Sequence, residues 1–177
     1  MIALKSLFLY GLLIFIPAHK IFSQTTSNVI LVIIDGARYS ETLGDPHARF
    51  IPHMRQLAQQ GVTVDTMIND HLTLTRYAIP AIWSGSWAVP KDTIVNGFAN
   101  QYATSPTVWE YFRKDRGVDS THAMYIMISV LSPWMQSLYK DYGPKYWPWY
   151  RLQGSTDLDV WQNAKSKLQK YHPELAR

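Results

Sequence analysis

Residues 28–34 read NVILVII, an unbroken and mostly β-branched apolar run that stops at Asp35-Gly36. A strand wetted on one face alternates apolar and polar side chains. A run without alternation predicts a central strand buried on both faces, which belongs to a parallel sheet covered by helices. The following residues supply such helices. Residues 52–60 put Met54, Leu57 and Ala58 on one helical face and close at Gly61, and residues 75–83 are apolar and close at Ser84-Gly85, with Pro80 predicting a kink or a late start. Pro106 suits the first turn of a helix carrying Val108, Trp109 and Phe112. Residues 158–171 form a longer helix, for which Thr156 with Asp159 makes a cap. Residues 62–68 and 125–130 are further strand candidates, residues 85–106 a Gly/Pro/Asn-rich connection, and residues 134–150 an aromatic loop or cap segment. Strand and helix signals alternate, so the expected class is α/β with a largely parallel sheet.

Ahead of this pattern, residues 1–23 read as a secretory signal: Lys5, an apolar run over 7–17, and the small Ser23 before Gln24. Eleven apolar residues span about 17 Å as a helix, roughly half a bilayer core. The segment therefore predicts a periplasmic or secreted protein with no stable membrane span after cleavage; an uncleaved anchor would also take the chain out of the cytoplasm. Residues 24–177 then make one domain. Of 17 Lys and Arg residues the leader holds Lys5 and Lys20, leaving 15 against 13 acidic side chains, which is no footprint for a nucleic-acid polymer. Oligomeric state is not legible. The absence of cysteine excludes a disulfide framework, a thiolate nucleophile and a thiolate zinc site. Any metal must take carboxylate, imidazole or hydroxyl ligands.

Two elements carry candidate chemistry. Asp35 sits where a buried strand gives way to a loop, the position at which open α/β sheets bind ligands, although Asp-Gly is also an ordinary turn pair. Thr75 opens a helix, where the dipole and unpaired amides favour an alkoxide and the anion it attacks; the plainer alternative is a helix cap.

Asp35-Gly36 followed by Pro52, Met54, Leu57, Ala58 and Gly61 resembles the N-terminal part of the alkaline phosphatase superfamily, in its nucleotide pyrophosphatase/phosphodiesterase and sulfatase-like branches. In those branches the nucleophile lies ten residues before the glycine of a Thr-Gly or Ser-Gly pair, and Gly85 follows Thr75 by ten positions. That spacing selects Thr75 over Thr73. A threonine here, and Asp35 followed by glycine rather than a second aspartate, favour the phosphodiesterase-like branch. The resemblance covers roughly residues 28–113 and implies a three-layer fold with helices on both faces of the sheet. It also implies Thr75 as nucleophile and zinc ligand, Asp35 as metal ligand, and Asn96, or else Asn100, as the phosphoryl contact. Two zinc ions about 4 Å apart would hold the attacking and leaving oxygens in line and give Thr75 alkoxide character.

The family completes its two-metal site with aspartates and histidines from later strands. Here the histidines after the leader are His47, His53, His71, His122 and His172, and Asp70-His71 is the only Asp-His pair, placed where the resemblance expects no ligand. The chain is therefore expected to be the N-terminal part of a longer enzyme, incomplete after the 158–171 helix, inactive alone and unable to bind a zinc pair. The implied substrate is a small phosphate ester or phosphodiester. Alternatives are a sulfatase-like enzyme, a phosphoethanolamine transferase-like enzyme, or a non-catalytic extracytoplasmic module whose aromatic segment holds a glycan. For that segment, packing is the simpler role.

Overall fold

The computed structural model describes residues 28–172 except 66, 70, 96, 129–133 and 153; of residues 95, 98, 151, 152, 175 and 176 it describes the backbone. The proposed leader, residues 1–23, lies outside the described residues, as do Asn96 and Asp70. No helix among the described residues is long and apolar enough to cross a membrane.

The architecture is mixed α/β. Four short strands form one sheet in the order β1 (Val29–Ile30), β6 (Leu175–Ala176), β4 (Ala123–Met127), β5 (Trp149–Leu152), and every neighbouring pair is parallel. A separate antiparallel hairpin joins β2 (Lys91–Val95) to β3 (Phe98–Tyr102). Four α-helices, α1 (Pro52–Ala58), α2 (Thr75–Ser84), α3 (Val108–Arg116) and α4 (Asp157–Tyr171), connect them.

The core is aromatic. Strand β4 is buried throughout, and its alternation splits its side chains between two faces. Ala123, Tyr125 and Met127 join Trp83 of α2, Trp109 of α3, Trp134 and Met135 in one cluster. Trp83 meets Trp109 at 5.3 Å and Tyr125 at 5.4 Å between ring centres, both edge to face, and Trp109 meets Tyr125 the same way at 5.3 Å. Such geometry adds about 1 kcal/mol per pair beyond area burial. Met124 and Ile126 alternate away and are buried too; α4 also packs on β4 and contributes nothing to the Trp83 cluster.

Helix ends follow local chemistry. Thr156 and Asp159 form the expected capping box of α4. Helix α3 starts at Val108, two residues past the Pro106 expected in its first turn, after a second box in which the backbone N–H of Thr107 donates to Glu110 Oε2 at 2.7 Å. Pro106 precedes that cap.

Four expectations are corrected. Residues 28–34 do not make a central strand: β1 is a two-residue edge strand, with Leu31 and Ile33 half-buried and Val32 and Ile34 72% and 57% exposed. Only β6 pairs with it, so its outer edge has no strand partner among the described residues. The described residues within 62–68 form no strand, and Val62 is 93% exposed. The 85–106 connection holds the β2–β3 hairpin, and the residues between its strands are Asn96 and Gly97, an Asn-Gly pair that favours tight hairpins. The 158–171 helix does lead into a strand, because β6 enters the sheet between β1 and β4.

Candidate functional site

Asp35 follows β1 in a turn where Gly36 adopts φ +67°, a left-handed backbone that glycine adopts without strain. Its side chain is exposed, beyond the carboxyl end of a parallel strand.

Thr75 is the first residue of α2, and Leu74 holds the cap position in extended backbone without a side-chain cap bond. The reading of Thr75 as a cap is thereby corrected: its hydroxyl stands one residue inside the helix. Thr75 is half-buried, and among the described residues its hydroxyl has no hydrogen-bond partner. No acidic side chain lies in that first turn. Arg76 does, donating to the Tyr77 hydroxyl at 3.0 Å with its guanidinium carbon 4.9 Å from the Tyr77 ring centre. A guanidinium added to the positive end of a helix favours an anion there. The sequence reading passed over Arg76, although its place beside Thr75 was visible.

The segments bearing these two residues share one core. Ile33, two positions before Asp35, and Ile79, one turn beyond Thr75, both pack against the Trp83 cluster.

The remaining candidates are not gathered around them into a metal centre. Among the described residues, no group of three or more His, Asp or Glu side chains is arranged to hold a metal ion. Zinc takes four ligands in structural sites and three protein ligands in catalytic ones, so a carboxylate and a hydroxyl do not fit a zinc pair. His71 accepts a different role: its backbone N–H donates to Asn69 Oδ1 at 2.9 Å, and its ring lies 4.9 Å from that of Trp87, after α2. Asn100 is half-buried in β3, opposite Thr93.

Two carboxylates that the sequence reading missed organise the scaffold. Asp45, 2% exposed, accepts from the backbone N–H groups of His47 (3.1 Å) and Arg49 (3.0 Å) and from Arg49 Nε (3.1 Å). The Arg49 backbone N–H, with those partners, brings its carboxyl down to about 2 against the cost of burial. Arg55 of α1 donates to the carbonyls of Leu43 and Asp45 at 3.0 and 2.8 Å, tying the loop to the helix. Glu110, fully buried, accepts at Oε1 from the backbone N–H of Ser137 (3.0 Å) and its hydroxyl (2.9 Å). Burial pushes the Glu110 carboxyl up. The signal for it was the Thr107-x-x-Glu110 spacing.

Comparison with protein-family models, with curated proteins and with solved structures finds no match to this chain.

Proposed function

We propose that this chain is the N-terminal part of an exported, metal-dependent phosphoesterase of three-layer, alkaline phosphatase-like architecture. Thr75 is its nucleophile, Asp35 a metal ligand, and Asn96 a phosphoryl contact. The observation that carries the reading is the amino end of α2: half-buried Thr75, its hydroxyl without a partner among the described residues, one residue inside the helix, beside Arg76, on a segment that shares its core with the strand leading to Asp35. Phosphoryl transfer asks a protein mainly for positioning and charge stabilisation. The helix amides and Arg76 supply positive potential where a phosphoryl oxygen would lie, and the Thr75 hydroxyl supplies the attacking oxygen. Threonine is a weak nucleophile at neutral pH and needs an adjacent base or a metal. The described residues do not complete a zinc pair, so the metal's remaining ligands must come from outside them. The substrate class is a small phosphate ester or phosphodiester; sulfate-ester hydrolysis and phosphoethanolamine transfer use the same nucleophile and differ in substrate or acceptor.

The test is covalent. The protein, as this chain and as the product of its full reading frame, is incubated with zinc and with p-nitrophenyl phosphate, bis-p-nitrophenyl phosphate or p-nitrophenyl sulfate, acid-quenched, and digested for mass spectrometry. A phosphoryl adduct on the peptide holding Thr75, lost in Thr75→Ala, is the expected result for the full-frame product. Turnover indifferent to both Thr75→Ala and Asp35→Ala overturns the proposal.

A further inference from the structure

A crevice of about 370 Å³ opens on the opposite rim of the sheet. Its lining includes Ser120, in the turn that leads into β4, and Trp147 and Pro148, immediately before β5. It therefore lies at the amino ends of β4 and β5, whereas Asp35 follows the carboxyl end of β1, and all these strands run parallel. The two places are separate by topology.

The lining has a definite chemistry. It brings together two cations, Arg113 and Lys145, with no carboxylate. Arg113 is fixed by its own bonds, donating from Nε to the Val118 carbonyl at 3.3 Å and from the guanidinium to the Trp147 carbonyl. Lys145 is exposed, its ammonium 5.1 Å from the Tyr146 ring centre. Gln136, only 3% exposed as a residue, also lines the crevice. With the Ser120 hydroxyl it offers groups that both donate and accept, as sugar hydroxyls do. Aromatic faces complete the wall. Trp147 is already stacked on Tyr102 at 5.7 Å, and Lys167 stands 5.3 Å over the Trp149 ring, so no pair of open parallel rings remains to sandwich a nucleobase. Single faces, including that of the exposed Tyr150, suit a pyranose ring.

We propose that this crevice binds an acidic saccharide, its ring against Trp149 or Tyr150, its hydroxyls at Gln136 and Ser120, and its carboxylate or sulfate between Arg113 and Lys145. The site is independent of Thr75 and Asp35.

Isothermal titration of the chain with four probes tests this: a hyaluronan tetrasaccharide carrying carboxylates, a chondroitin sulfate tetrasaccharide carrying sulfates as well, neutral cellotetraose, and AMP. At least one acidic saccharide saturates, tryptophan fluorescence changes with it, and cellotetraose and AMP bind at least roughly tenfold more weakly, a difference of about 1.4 kcal/mol. Lys145→Glu and Tyr150→Ala, both at exposed positions, each weaken that binding by roughly tenfold or more while the far-ultraviolet dichroism is unchanged. Thr75→Ala and Asp35→Ala leave it intact. Saturation by neither acidic saccharide, equal affinity for cellotetraose, preference for AMP, or indifference to both crevice variants overturns the proposal.

Discussion

Asp45 and Glu110 are both buried carboxylates held by backbone N–H groups, yet they answer to acid in opposite directions. Asp45 is depressed from its ordinary 3.8 to about 2. A depressed carboxyl contributes stability that is present above its unfolded value and lost as pH falls through its folded value. Thermal melts should therefore show a loss of stability between about pH 4 and pH 2 that Asp45→Asn removes. Glu110 is raised by burial, so its titration favours the fold below its unfolded value and that contribution fades as pH rises through the raised one. Its geometry matters more than its titration. Glu110→Ala strands the Thr107 N–H, the Ser137 N–H and the Ser137 hydroxyl in the interior, and a cost of about 3 kcal/mol is expected in denaturant unfolding; Glu110→Gln, which keeps one acceptor oxygen, costs about 1 kcal/mol.

Helix α2 offers a test that separates structure from chemistry. Thr75 caps nothing, so Thr75→Ala should change stability by less than about 0.5 kcal/mol while abolishing any phosphoryl adduct. Leu74→Asp, which puts an acceptor at the vacant cap, should stabilise the helix by about 1 kcal/mol in thermal melts. A Thr75→Ala variant that unfolds would assign the residue to scaffolding. Elements of this kind were legible where the signal was local. The Thr156 and Asp159 box fixed the start of α4, and the Gly85 closure fixed the end of α2. The hairpin was less legible because Asn96 carries two signals at once, the offset of a phosphoryl ligand and the first half of an Asn-Gly pair. The strand expected over 62–68 rested on apolar content alone, and apolar content makes a strand only where a neighbour supplies hydrogen bonds. For the candidate site, spacing singled out Asp35 and Thr75, but the crevice draws on residues from 113 to 150 that only the folded chain brings together.

At the scale of the whole molecule, burial is lopsided. The Trp83 cluster is buried, whereas Val32, Leu57, Val62, Met67 and Ile68 are between 66% and 93% exposed, with Met54 and Ile34 about half exposed. This chain by itself should bind a hydrophobic dye strongly, take up no stoichiometric zinc pair in calorimetric titration, and hydrolyse none of the p-nitrophenyl esters. Two bound zinc ions with Thr75-dependent turnover in these 177 residues would contradict that expectation.

Strand β6 sets the order in which the sheet is made. Leu175 pairs with Val29 on one side and Ala123 on the other, so the first strand has no partner in this sheet until residues 175 and 176 have been translated. The β4–β5 pair, much closer in sequence, closes a shorter loop and can form on the ribosome well before then. Until residue 175 emerges from the exit tunnel, the apolar run that opens the fold waits unpaired, which is when a chaperone would have most to hold.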